Sequence, residues 1–373
     1  MERPRRKGNP PRHGPVDGAR LAGTLMTPAR TVRLAFRDLP VIDGKPVPVH
    51  RDISAIVREG DTLFLACDEG AGIERLLRDG DGFGHHRHIR LGDLLDLPAG
   101  PEGEMDIEGL AIDGGWLWVL GSQSLKRDKV KAHAPGPEAL DDLADIDWDG
   151  NRQFLGRLPL VTRHGGLWPV AQDGDRRAAH LRFKGKGRLR RWLRKDRHLA
   201  AFLDLPSKEN GLDAEGIVAR GDRVWVGLRG PVLGESAVVL EMEMRVTGKG
   251  HLKARRIEGR SRLRKHFVDT DGQGIRDMKW DGDDLLLVTG PVLSGNGPAA
   301  ILRLHGFAGR DDEGYLGESG QTLLQRLPYR ESTDHPEGLV QWDGPEWLVV
   351  CDSPAPERVG DDPPYVDGDV WRL

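Results

Sequence analysis

GLDAEGIVARGDRVWVGLRGP, residues 211–231, carries two short apolar runs on either side of a Gly-Asp turn. Runs of this length around such a turn signal a β-hairpin. A carboxylate, Glu215, opens the first run and a guanidinium, Arg229, closes the second, where a buried strand favours apolar side chains. The hairpin recurs as DISAIVREGDTLFLACDEG (52–70), DIEGLAIDGGWLWVLGSQS (106–124), GIRDMKWDGDDLLLVTGP (274–291) and HPEGLVQWDGPEWLVVCDSP (335–354). Aligned on the acidic residue of the first run, Ser54, Glu108, Glu215, Asp277 and Glu337 are equivalent, at intervals of 54, 107, 62 and 60 residues. That period matches one four-stranded blade of a β-propeller, with one interval nearly doubled.

A third run follows each hairpin: IERLL (73–77), RQFLGRLPL (152–160), AVVLEMEM (237–244), AAILRL (299–304) and DVWRL (369–373). Fourth runs follow in three copies, HHRHIRL (85–91), KARRIEG (253–259) and TLLQRLPY (322–329). The last copy has no room for one before Leu373. TVRLAF (31–36), just ahead of the first copy, is expected to supply it and so close the ring, leaving few free sheet edges. The doubled interval holds LRRWLRKDRHLAAFL (189–203), where Leu189, Trp192, Leu193, Leu199 and Leu203 fall on one helical face. The expectation is an all-β propeller over residues 31–373, with five blades preferred. Its second blade would carry a helical insertion at about 164–205, the helix itself around 188–204. Six blades, one of them decayed, is the alternative.

Composition agrees with a turn-rich globular chain: 373 residues, 38% hydrophobic, 31% charged, 50 Gly and 25 Pro, with a formal net charge of -4. No run approaches the ~18 apolar residues of a membrane helix. Residues 1–30 are basic and rich in Pro and Gly without an apolar core, which reads as a disordered arm rather than a signal peptide. Two cysteines, Cys67 and Cys351, exclude a disulfide scaffold and suit a reducing, cytoplasmic setting. They are expected to be free thiols at equivalent second-strand positions. The chain is expected to be a monomer.

DIEGLA, GSQS followed by Lys126 and Arg127, LPSKENGLDAEGI and GLRGP resemble the bacterial domain of unknown function 3616 family, over roughly residues 50–355. The resemblance implies a propeller related in architecture to esterase-like and phytase-like propeller proteins. Where GSHS is expected the chain has Gly121-Ser122-Gln123-Ser124, so a histidine role there is absent.

Inner strands line a propeller's channel, so Glu108, Glu215, Asp277 and Glu337 are expected to converge at one mouth, with Ser54 from the remaining blade. Converging carboxylates raise one another's pKa unless a cation is present, and a hard divalent ion such as Ca²⁺ takes oxygen ligands of this kind. The structural alternative is a strand-entry device, the glycine after each glutamate allowing close approach of inner strands. Arg229 and Arg276 either pair with channel carboxylates or bind a small anionic ligand. Asp68, Ser122 and Asp352 stand where Arg229 stands in its own hairpin and are expected with it and Arg276 on the substrate or anion side of the site, Pro291 being the remaining counterpart. His335 is the candidate general base. No G-x-S-x-G, H-E-x-x-H or G-x-x-x-x-G-K-[ST] occurs, which leaves serine-hydrolase, zincin and P-loop chemistry without their signatures.

Three further features carry an expectation. Asp145-Ile-Asp147-Trp-Asp149-Gly150 begins like a calcium loop but has Gly156 at position 12, and reads as an Asp-Gly turn or a surface Ca²⁺ loop. His85, His86 and His88 resemble a metal cluster, but on an outer strand where alternation turns His86 away from the other two a solvated edge is expected instead. Basic residues from Lys184 to Arg197 suit an acidic protein partner, whereas nucleic acid is disfavoured because aromatic side chains are scarce there. The functional expectation is a metal-dependent hydrolase of phosphoesters, esters or lactones, or else a non-catalytic ligand-binding or protein-interaction propeller.

Overall fold

The structure, a computed structural model, describes residues 27–42, 44–127, 130–131, 135–247, 250–257, 261–293, 297–328, 330 and 332–373. The basic arm expected over residues 1–30 lies outside the described residues as far as residue 26. All five hairpins form. Their first strands are Ile53–Glu59, Ile107–Asp113, Asp213–Arg220, Gly274–Asp281 and His335–Gln341. The second strands are Thr62–Cys67, Trp116–Gly121, Arg223–Leu233, Asp284–Gly290 and Glu346–Asp352, and the third Gly72–Asp79, Leu155–Arg163, Ser236–Val246, Ala299–Leu304 and Pro364–Arg372. Within each copy the three pair antiparallel in chain order. Each first strand neighbours the next, and His335–Gln341 returns to Ile53–Glu59. The fold is a β-propeller of five blades, and the doubled interval is length within blade 2 rather than a sixth blade.

The ring closes as the sequence suggested. Arg30–Ala35 pairs antiparallel with Pro364–Arg372, from Arg30 opposite Val370 to Ala35 opposite Tyr365, and so becomes the outer strand of blade 5. Val32 and Leu34 of that strand are buried while Thr31 and Arg33 are exposed, the alternation of a half-covered edge. Outer strands of blades 1 and 4 are Gly82–Arg90 and Gln321–Leu327. In blade 3 the expected KARRIEG run gives only His251–Ala254. The longer outer strand is Arg264–Asp269, paired along the first half of Ser236–Val246.

Every first strand has a register shift at the same place, between Ile53 and Ala55, Ile107 and Gly109, Ala214 and Gly216, Ile275 and Asp277, and Pro336 and Gly338, and blade 3 has a second between Asp213 and Ala214. The bulged residues are therefore Ser54, Glu108, Glu215, Arg276 and Glu337. Asp277 is not the equivalent of the glutamates. Setting acid under acid slips blade 4 by one residue, and a one-residue slip turns a side chain to the opposite face. Arg276 holds the glutamate position, and the counterpart of Arg229 in blade 4 is Gly290 rather than Pro291. Gly290 leaves room for that arginine, since a Cβ there would lie 3.2 Å from Arg276 Cγ.

The residue after each bulge packs on the next blade. A Cβ at Gly109 would lie 2.9 Å from Ile217, one at Gly216 2.7 Å from Met278, and one at Gly338 2.6 Å from Ile56. Glycine there is a condition of inner-strand approach. In blade 4 the same position is Asp277, whose carboxylate accepts the Leu339 backbone N–H at 2.8 Å and that of Met278 at 2.7 Å.

The insertion in blade 2 is not one helix over 189–203. Arg188–Leu193 is helical, and a single 3-10 turn follows at Ala200–Phe202. Asp196 breaks it, because its carboxylate accepts the N–H groups of His198 and Leu199 at 2.9 and 3.1 Å and so ties off a turn. Leu189, Leu193, Leu199 and Leu203 are nonetheless fully buried in the cluster between blades 2 and 3. A second helix, Gly136–Ala144, lies in the same blade and has no buried residue.

Candidate functional site

The strand-start mouth of the ring is built from two layers of side chains. The bulges supply Glu108, Glu215, Arg276 and Glu337, while Ser54 donates to the Ile107 carbonyl at 2.5 Å and is a strut between blades 1 and 2. Two residues ahead of each bulge in blades 1 to 3 stand Asp52, Asp106 and Asp213, and the second strands add Asp68, Ser122, Arg229 and Asp352. A bulge re-aims side chains at a barrel or blade rim, and here it directs charge into the mouth.

Half of this mouth is neutralised. Arg276 reaches from blade 4 to Glu215 at 3.0 Å through one nitrogen and to Glu337 through the other. Arg229 meets the same Glu215 oxygen at 3.0 Å and stands 3.6 Å from Asp213. Burial works against the Arg229 cation, but Glu215 and Asp213 outweigh it and hold its pKa above the ordinary arginine value. Arg152 reaches Asp106 at 2.9 Å and also binds Glu104, while donating to Ser124 at 2.7 Å. Arg229 and Arg276 therefore pair with channel carboxylates.

The other half is neutralised only at Asp106, by Arg152; Asp68 and Glu108 have no cation partner among the described residues. Oxygen atoms of Asp68, Asp106 and Glu108 all lie within 4.8 Å of one another. Glu108 is 9% exposed, and no ion pair or hydrogen bond of its side chain occurs among the described residues. Burial first, then the carboxylates of Glu215, Asp68 and Asp106, push its pKa well above the usual range. Asp68 is raised for the same reasons, by burial and then by Asp106 and Asp352. Asp106 is raised by burial against the opposing pull of Arg152. Asp213 is pushed up to about 7 by burial and Glu215, and Asp52 to about 6 by burial and Asp352.

An ion with ~2.3–2.6 Å bonds to oxygen holds ligand atoms up to about 5 Å apart, so the spacing of the three carboxylates fits a hard divalent cation. The donor set is all oxygen, which excludes the soft metals that ask for thiolate. Glu108 carries the fit, because a buried carboxylate among carboxylates is the group that a cation would satisfy.

Of the residues expected to bind metal, Glu108 alone sits in this cluster. Glu215 and Glu337 belong to the arginine-paired half. Asp277 points away to Lys279, whose ammonium lies 2.6 and 2.8 Å from its two oxygens, and it is an inter-blade strut. Asp68, expected on the anion side, is instead a member of the acidic cluster. Ser122 is buried, with its hydroxyl 2.9 Å from that of Ser124, and Asp352 accepts from Ser353 at 3.1 Å. His335 Nδ1 stands 3.6 Å from Asp352, and its Nε2 is buried without a partner among the described residues. Gln123 replaces the expected histidine and donates to the carbonyls of Gly121, Arg152 and Phe154, so it is a staple.

The sequence reading missed Asp106 and Arg152. Asp106 had a signal, an aspartate two residues ahead of the bulge in three copies of the repeat. Arg152 had none, since it arrives from a third-strand approach. Two family stretches also meet: Arg127, after GSQS, donates to Glu209 of LPSKENG at 3.0 Å, and Leu125 accepts the Ser207 N–H at 2.9 Å.

Two other expectations are corrected or located. His86 and His88 share a face, as residues i and i+2 of a strand do, so His85 rather than His86 is the one that alternation sets apart; the bulge lies at His85 and His86, between the pairs Leu77–Gly84 and Arg75–Arg87. Both bond the buried Glu74, at 2.6 and 2.7 Å, so this is a structural carboxylate-imidazole cluster rather than a solvated edge. In the Asp145–Gly150 stretch Ile146–Asp147 pairs as a short strand with Lys126–Arg127, and Asp149 accepts the Asn151 N–H at 2.7 Å and caps the 3-10 turn Gly150–Gln153.

The model of the family described as protein of unknown function (DUF3616) matches residues 52–369. No curated protein matches the chain by sequence. Among solved structures, the chain is similar to glutaminyl cyclase from Myxococcus xanthus, at 10% identity over 93% of this chain and 99% of that one, with a TM-score of 0.39. It is similar also to the PQQ-bound aldose sugar dehydrogenase from Streptomyces coelicolor, at 11% identity over 93% and 100%, TM-score 0.38. A third is the β-propeller domain of Cps50 (Swd1) from Myceliophteria thermophila, at 11% identity over 93% and 99%, TM-score 0.34. No helix of the described residues is long and apolar enough to cross a membrane.

Proposed function

We propose that this chain, which belongs to the DUF3616 family, binds a divalent cation, calcium by its donor chemistry, at the strand-start mouth of its propeller and uses it on an oxyanion ligand. The observation that carries this reading is Glu108: buried, unpaired among the described residues and crowded by Asp68 and Asp106. Asp68, Asp106 and Glu108 would hold the ion. Bound there, a cation supplies Lewis-acid polarisation of a phosphoryl or acyl oxygen. Phosphoesters, esters and lactones all present such an oxygen.

The remaining groups have roles set by their pairing. Arg276 and Arg229 hold Glu215 in place and keep the wall opposite the cluster close to neutral, so that an anionic ligand is not repelled from the mouth. His335, oriented by Asp352, is the group able to accept a proton from a water nucleophile. The competing reading is a non-catalytic, cation-dependent binding propeller. It is favoured by the same arginine pairing, which leaves Glu215 holding both guanidinium groups instead of freeing them for a substrate.

Metal analysis of the purified protein, with and without chelator, tests the first claim: one equivalent of calcium is expected, lost in Glu108→Gln and retained in Asp277→Asn. Metal-free protein indifferent to calcium would remove the site. Assays with p-nitrophenyl phosphate, p-nitrophenyl acetate and a simple lactone then separate the two readings. Calcium-dependent turnover abolished in His335→Ala supports the hydrolase, and calcium binding without turnover supports the binder.

A further inference from the structure

Away from the channel, strand Ala179–Leu181 at the edge of blade 2 pairs in parallel with His251–Ala254 at the edge of blade 3, His180 facing His251 and Leu181 facing Leu252. The insertion helix Arg188–Leu193 borders this seam and leaves a groove of about 660 Å³. Among the described residues five cations line it, Arg182, Arg188 and Arg191 from blade 2 and Lys253 and Arg262 from blade 3, and no Asp or Glu does. None of the five has an ion pair or a side-chain hydrogen bond among the described residues. Arginines beside it are otherwise engaged: Arg194 binds Asp204 at 2.7 Å, Arg255 binds Glu243 at 2.6 Å, and Arg190 is turned inward to the carbonyls of Leu203 and Gln123.

The floor is different in kind. Leu181 and Leu252 are buried, and Trp192, half-buried against the inter-blade core, adds an indole to the lining. His251 completes the wall, its Nδ1 buried without a partner among the described residues. Guanidinium forks match phosphate oxygens in bidentate fashion, and a flat apolar floor suits a planar ring. The volume lies in the range of small-ligand sites, ~300–1,000 Å³, and a single aromatic side chain supports a single ring system rather than a stacked strand.

We infer that this groove binds a phosphorylated small molecule carrying a planar aromatic group, that is, a ligand of nucleotide chemistry. The site is independent of the channel mouth. Calorimetric titration with ATP in the presence of chelator is the test, with inorganic pyrophosphate as the second probe. ATP is expected to bind one to one, and Arg191→Glu and Arg262→Glu each to weaken it at least tenfold. Trp192→Ala is expected to bring ATP down towards pyrophosphate without changing pyrophosphate itself, while Trp192→Phe retains ATP binding and guards against a folding defect. Glu108→Gln should leave ATP binding unchanged, which separates this groove from the mouth. The inference is overturned if ATP does not saturate, if the charge reversals leave it unaffected in protein with an unchanged circular-dichroism melt, or if poly-glutamate or a single-stranded RNA oligonucleotide binds more tightly than ATP.

Discussion

Glu108 and Asp277 show how two carboxylates in similar sequence settings reach opposite ends. Asp277 is buried, yet it has an ammonium and two backbone N–H groups within 2.8 Å. Glu108 is buried with carboxylates for neighbours. Removing one partner of a buried pair strands the other charge and costs about 3–5 kcal/mol. Asp277→Ala is therefore expected to lose that much in denaturant unfolding, and Asp277→Ala combined with Lys279→Met to regain only the part due to the stranded ammonium, since the Met278 and Leu339 N–H groups stay without an acceptor. Glu108→Gln goes the other way: in chelator it relieves repulsion and should stabilise by on the order of 1 kcal/mol, with thermal unfolding no longer responsive to calcium. A Glu108→Gln protein less stable than its parent in chelator would mean that Glu108 is satisfied by a group other than a cation. The glycines are as specific. Gly338→Ala places a methyl 2.6 Å from both Ile56 and Val350, and overpacking of this kind costs ~1–3 kcal/mol in the same measurement.

At the scale of elements, the hairpins and their turns were legible because they are local. Asp-Gly and Gly-Asp turns between apolar runs specify pairing partners within a few residues of each other. The bulge was not legible. It is a backbone event shared by all five first strands, and it moves the ring position from Asp277 to Arg276. The insertion was half legible: its leucines are buried as the periodicity required, but Asp196 preferred to cap the following N–H groups over continuing a helix. Closure by Arg30–Ala35 rests on Val32 and Leu34, both buried between blades. Leu34→Ala is expected to cost about 2–5 kcal/mol, more than a core truncation of equal size would suggest if it also frees the ring to open. Chemical unfolding reads the first quantity, and protease sensitivity of the outer strand of blade 5 reads the second.

The whole molecule should titrate in a direction set by its mouth. Asp213 is held at about 7 and Asp52 at about 6, both above the value of ~3.9 for an unfolded aspartate. A carboxyl whose folded pKa is raised binds its proton more tightly in the native state, so its contribution to stability is full below the unfolded pKa and is lost as pH rises through the folded one. In chelator the melting temperature is therefore expected to fall between about pH 4 and pH 7 through these groups, with calcium restoring it most at the alkaline end, where the ligands are ionised. Scanning calorimetry of the wild type against Asp213→Asn isolates the effect. A fall that persists unchanged in Asp213→Asn would assign it to other groups. By itself the sequence determined the repeat, the five hairpins, the strand that closes the ring and the acid-rich character of the strand starts, because turn chemistry and apolar periodicity act over a few residues. Tertiary structure decided which of those acids remain unpaired. Arg276, Arg229 and Arg152 reach the mouth from different blades, and whether a buried carboxylate meets a guanidinium or another carboxylate depends on distances that no local pattern encodes.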